Sequence, residues 1–140
     1  MELSDCIDKG FLVRIKPDAK LVEKELAESA YDLEKARKAL NESDYKWSIV
    51  KAYYAMFHSA RAILFQIGLM EKRHFAVAVA LRHLNKQGKL ESRFVRSYEA
   101  AVSSREEADY HYTHSRQVAE ETLALAEEFS ERMRELLKKL

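Results

Sequence analysis

Apolar positions recur at intervals of three, four and seven through most of the chain, the period of helices that each bury one face. Val22, Leu26, Ala30, Leu33 and Leu40 form such a stripe, predicting a first helix from Asp18 to about Leu40. Asp18 follows Pro17 and suits the N-cap. Asn41 to Asp44 reads as a turn. A second helix is expected from Tyr45 to Ile67, where Ile49, Ala52, Tyr53, Met56, Phe57, Ala60, Ile63, Leu64 and Ile67 exceed one stripe and predict a central helix buried on two sides. Gly68 should end it. A loop from Leu69 to Arg73, a helix from His74 to Asn85, a break at Gly88, a helix from about Glu91 and a last helix from Ser115 complete the pattern. Residues 1–17 read as a lead-in strap, with Phe11 to Ile15 packing on the bundle or on a second subunit. The fold class is all-α, an antiparallel up-and-down bundle of four to five helices in a single domain over residues 1–140.

Composition narrows the picture. Three glycines and one proline are too few turn-formers for a many-stranded β protein. Hydrophobic residues at 47% and charged residues at 34% fit a packed core under a charged surface rather than a disordered chain. No apolar run has the length of a membrane span, and the first ten residues lack the pattern of a secretion signal. Cys6 is the lone cysteine, so a cytoplasmic location is expected and no cysteine metal cluster can form.

The net charge of +1 hides an uneven distribution. Between Lys72 and Arg96, seven bases face one acid, Glu91, whereas the first part of the last helix carries Glu120, Glu121, Glu127 and Glu128. This contrast suits either mutual neutralisation across the bundle or a local site for a phosphate-bearing partner.

The segment from Ser103 to His114 carries the candidate chemistry. At 100° per residue, the side of the fourth helix bearing Phe94, Tyr98 and Ala101 continues through Arg105, Asp109 and Tyr112. An apolar stripe thus turns ionisable without changing face, which is costly unless the charges pair, and Arg105 and Asp109 stand at i,i+4. That arrangement fits a structural ion pair or a cleft where a guanidinium meets a phosphate. His58 reads as a hydrogen-bonded core or interface histidine, with Arg61 as its neighbour. His111 and His114 lack fixed further ligands, so no metal site is expected, and no other cofactor motif is present.

The string from Tyr53 to Leu64 (YYAMFHSARAIL), with Gly68-Leu69 and the later Arg105 to Tyr110 (REEADY), resembles the HEPN superfamily, in particular its small prokaryotic members. The resemblance implies a homodimeric helical bundle and, in many members, a metal-independent endoribonuclease acting as a toxin beside a minimal nucleotidyltransferase antitoxin. Its signature is an arginine followed, after four to six residues, by a histidine, and Arg105 and His111 fit with five between. Asp109, Tyr110, Tyr112, His58 and Arg61 would support catalysis or bind substrate. In some members the motif is Arg, four residues, His, one residue, Tyr. Laid on Arg105, that register puts Tyr110 at the histidine position and makes Tyr112 a target for AMP attachment. The alternative function is then a non-catalytic nucleotide-binding or interaction module partnering a nucleotidyltransferase.

Overall fold

The computed structural model describes residues 1–140. It has six helices and one two-stranded sheet: α1 (Leu3–Asp8), β1 (Leu12–Arg14), α2 (Ala19–Asn41), α3 (Tyr45–Gln66), β2 (Leu69–Glu71), α4 (Phe75–Lys86), α5 (Ser92–Tyr110) and α6 (Arg116–Leu137). The long helices α2, α3, α5 and α6 form the bundle, with α3 packed against the other three. α4 flanks α3 and α5, and α1 rests on α4 and β1. No helix is long and apolar enough to cross a membrane.

Local chemistry sets the boundaries. The Asp18 carboxylate accepts hydrogen bonds from the backbone N–H groups of Lys20 and Leu21 at 2.9 and 3.4 Å. Ser115 does the same for Val118 at 3.1 Å, opening α6. Fourteen of the 22 residues of α3 are buried, which makes it the central helix. Its side facing α2 is a stripe of small residues: Ser48, Ala52, Ala55, Ser59 and Ala62. Small side chains let the two backbones approach closely. The Ser29 hydroxyl then donates to the Ala55 carbonyl at 2.7 Å, and the Ser48 hydroxyl to the Ala36 carbonyl at 2.9 Å.

Two expectations change. The stripe read on α2 is not its buried face: Ala30 is exposed, Leu26, Leu33 and Leu40 lie at the margin, and the buried positions are Val22, Glu25, Ser29, Asp32, Ala36 and Ala39. This face keeps the spacing of three and four but contains two carboxylates, because α3 offers them cationic partners (described below). The strap and the Leu69–Arg73 loop also prove more ordered than a loop. Residues 3–8 form α1, and β1 pairs antiparallel with β2 in the register Leu12↔Glu71, Val13↔Met70, Arg14↔Leu69. The ladder extends at both ends, from Ile15 N–H to the Gly68 carbonyl (2.9 Å) and from Lys72 N–H to the Phe11 carbonyl (2.8 Å). The strap therefore closes its own bundle. A three-residue strand cannot stand alone, so its signal lay in the partner segment rather than in its own residues.

Gly68 makes this pairing possible. Its φ of +82° lies in the left-handed region, and a Cβ there would sit 2.9 Å from the Ile15 carbonyl oxygen. Gly88 has a φ of +75° but open space around it. Gly68→Ala should therefore cost about 2 kcal/mol in urea unfolding and Gly88→Ala about 1 kcal/mol. Equal costs would show that the contact with the strap adds nothing to backbone strain.

Candidate functional site

The apolar stripe of α5 (Phe94, Tyr98, Ala101) does lead into Arg105 and Asp109, whose side chains are 21% and 23% exposed. Arg105 Nε lies 3.0 Å from Asp109 Oδ2, as the i,i+4 spacing predicts. The buried N–H is not aligned for a hydrogen bond, so the contact is electrostatic. Nη2 donates to the Tyr54 hydroxyl at 3.3 Å. Three aromatic rings surround the guanidinium carbon: Tyr53 at 5.5 Å, Tyr54 at 5.8 Å and Tyr110 at 5.5 Å from their centroids. Partial burial works against the charge, but the oxygens of Tyr54, Tyr110 and Asp109 outweigh it and move the Arg105 pKa upward. Arg105 is a fixed cation, and its Nη1 has no protein partner.

That cation lines a cleft of about 390 Å³ between α3, α4 and α5. Tyr53, His74, Phe75, Arg82 and Glu106 share the lining with it. The His74 ring packs on Phe57 at 4.7 Å between centroids, which fixes it at the start of α4. Arg82 is held by Glu99 at 2.9 Å. The Tyr53 and Tyr98 phenols are pushed up by burial and stay neutral. The lining sets two guanidinium groups and an imidazole against the carboxylates of Glu99 and Glu106, and Arg82 is taken up by Glu99, so the group left to meet an anionic ligand is Arg105. His74 was missed in the sequence because it is remote from Arg105 along the chain and carries no spacing signal.

α5 ends at Tyr110, with His111 as its C-cap. The N–H groups of His111 and Thr113 both return to the Glu107 carbonyl, at 3.1 and 3.0 Å. Tyr112 sits at φ +56°, a left-handed conformation that costs a non-glycine residue about 1 kcal/mol. Tyr112 therefore leaves the α5 stripe instead of continuing it. The His111 imidazole is exposed with no hydrogen-bond or ion-pair partner, and Tyr110 is the residue of this segment that contacts Arg105. Tyr110 and Tyr112 are 63% and 76% exposed.

His58 and Arg61 are drawn toward α2 instead. With Lys51 and Tyr54 they form a partly exposed stripe on the otherwise buried middle of α3. His58 Nδ1 bonds Glu25 Oε2 at 2.6 Å, and Nε2 faces Asp32 Oδ2 at 3.6 Å. Arg61 spans Glu71 (2.9 Å) and Glu25 (3.4 Å). Lys51 stands 4.0 Å from Asp32 Oδ1. His58 is thus hydrogen-bonded and largely covered, and Tyr54 links this network to Arg105. Elsewhere the charge contrast is used across the bundle: Arg93 pairs with Glu128, and Arg132 of the acidic helix with Glu91.

Burial pushes the Asp32 carboxyl up from its ordinary 3.8, against the pull of His58 and Lys51. A carboxyl with a higher pKa in the folded state contributes stability that is complete below its unfolded value and fades as pH rises through the folded one. Asp32→Asn should raise the thermal midpoint by a few degrees at neutral pH. The gain should vanish as the pH falls to about 4 in calorimetry across that range. A lowered midpoint at neutral pH would mean that the two cations outweigh burial.

Among known protein families, the model described as HEPN domain matches residues 22–136, which span α2 through nearly all of α6. No curated protein matches the chain.

Proposed function

The chain belongs to the HEPN domain family, and from that premise we propose that it binds the phosphodiester backbone of RNA at the Arg105 cleft and cleaves it without a metal cofactor. The observation that carries this reading is Arg105 itself, a fixed cation boxed by three tyrosines with one nitrogen unpartnered on a cleft shared with Arg82 and His74. The ribose 2′-oxygen attacks phosphorus and the 5′-oxygen leaves, giving a 2′,3′-cyclic phosphate and a 5′-hydroxyl end. One group takes the 2′-hydroxyl proton and one returns a proton to the leaving oxygen, and imidazole suits both roles near neutrality. His111 holds the position expected from the Arg-x5-His motif, while His74 shares the cleft with Arg105. Arg105 stabilises the charge that builds on the phosphoryl oxygens. Bases between Lys72 and Arg96 that have no carboxylate partner draw the polyanion in.

In this reading the protein acts as a homodimer in a toxin–antitoxin pair with a minimal nucleotidyltransferase. A second subunit would bring another His111 to the cleft. Asp109, Tyr54 and Tyr110 hold the guanidinium in place, and Tyr112 presents its hydroxyl to solvent. One observation favours a second reading: Tyr110, not His111, lies against Arg105. That is the arrangement of a non-catalytic module, which binds a nucleotide phosphate and leaves the chemistry to its partner.

Cleavage of single-stranded RNA by purified protein decides between them. Arg105→Ala should lower the rate by about 10²–10³-fold and loss of the working imidazole by about 10²–10⁴-fold. His111→Ala and His74→Ala, measured separately, identify which imidazole transfers the proton. No cutting by wild type, with nucleotide binding that Arg105→Ala abolishes, would replace the nuclease with the module.

A further inference from the structure

The seam between α2 and α3 places three potential metal ligands together: a ring nitrogen of His58, a carboxylate oxygen of Asp32 and one of Glu28 all lie within 4.8 Å of one another. We propose that these three residues bind one first-row divalent cation of zinc type, which clips α2 to α3 on the side of the bundle beside the Arg105 cleft.

The geometry of His58 is the first reason. A carboxylate only accepts hydrogen bonds, so the proton in the 2.6 Å contact with Glu25 resides on Nδ1. That fixes the tautomer and turns the Nε2 lone pair of the neutral ring toward Asp32. A carboxylate bonded to the far nitrogen is the support that metal-bound histidines usually have. The Nε2 to Oδ2 separation of 3.6 Å is too long for a hydrogen bond. It is close to the spacing of about 3.4 Å between two ligands of one tetrahedral zinc ion.

The second reason is Asp32. Its side chain is nine-tenths buried and receives no hydrogen bond. Lys51 stands at 4.0 Å from Oδ1, at the limit of an ion pair, and Oδ2 faces the imidazole. The Asp32 oxygens keep some contact with water, so an ion can reach them, but a largely covered carboxylate that takes no hydrogen bond from the protein still carries a cost. A cation bound between Oδ2 and Nε2 removes that cost.

Charge balance is the third. Glu25, Asp32 and Glu71 share two permanent cations as ion-pair partners, Lys51 and Arg61, and Glu28 beside them has none. The excess of negative charge matches a divalent ion. Glu28 is exposed, so its side chain is free to complete the site by rotation. One imidazole and two carboxylates form a nitrogen and oxygen set that favours zinc, manganese or nickel over magnesium. The site is separate from the proposed cleavage chemistry, and no step of that reaction passes through it.

The test uses the full-length protein freed of metal by chelation, titrated with zinc chloride in a calorimeter and followed by thermal unfolding. One equivalent should bind and raise the midpoint. Glu28→Gln alters an exposed residue and leaves the fold intact. It should weaken binding at least roughly tenfold, as should Glu25→Gln through the orienting bond. Asp32→Asn should abolish binding. A double variant, His111→Ala with His114→Ala, should bind like wild type, which separates this site from the exposed histidines. Failure of wild type to bind one equivalent would overturn the proposal. So would binding that survives both Asp32→Asn and Glu28→Gln, or binding lost only in the double histidine variant.

Discussion

The structure depends on how completely α3 is enclosed. α2, α5 and α6 press on it, and only Lys51, Tyr54, His58 and Arg61 interrupt its buried middle. A helix so enclosed cannot leave a polar group unmatched, because each one taken from water without a partner costs more than a typical hydrogen bond returns. The neighbouring elements are therefore chosen for their polar groups as much as for their apolar ones. α2 supplies Glu25 and Asp32, β2 supplies Glu71, and α5 supplies Arg105 to the Tyr54 hydroxyl. The strap follows from the same constraint. By pairing with β2 it fixes the strand that carries Glu71, which bonds Arg61 at 2.9 Å.

Membership of the HEPN domain family takes on physical content here. The string of α3 from Tyr53 to Leu64 contains both kinds of position. Ala55, Ser59 and Ala62 let α2 approach, while Tyr54, His58 and Arg61 meet the charges that α2, α5 and β2 bring. Tyr54 stands between the two charged assemblies, its hydroxyl on Arg105 and its ring 6.4 Å from that of His58. A change in charge on the α2 side is therefore two side chains from the guanidinium that we propose grips phosphate.

Much of this was legible in the residues alone, for reasons that are local. Asp18, Gly68 and Ser115 act within one turn of themselves, so their signals survive without tertiary context. The Arg105–Asp109 pair follows from helical spacing, and burial of α3 from an excess of apolar positions over a single stripe. What escaped was set by distant partners. Glu25 and Asp32 look like solvent-facing residues on α2 until His58, Lys51 and Arg61 come opposite them. β1 and β2 are too short to announce themselves. His74 precedes Arg105 by some thirty positions, and only the packing of α4 on α3 and α5 brings both to one cleft.

The end of α5 shows how a motif and a structure can divide one function between them. Helical continuation would carry Tyr112 along the Arg105 side and leave His111 on another face. The helix instead stops at Tyr110, and the left-handed turn at Tyr112 sends the chain back toward α6. Ala108 and Ala119 are buried together with Ile49 just beneath, so the turn is anchored at both ends although its tip is exposed. An exposed imidazole on an anchored turn is open to a substrate arriving from outside, or to a second subunit. Arg105, by contrast, is held by Asp109, the Tyr54 hydroxyl and three tyrosine rings. In the nuclease reading that we propose, this contrast divides the labour: the held cation would set where a phosphate lies, and the proton carrier would be either His74, already in the cleft, or His111, brought up from the exposed turn.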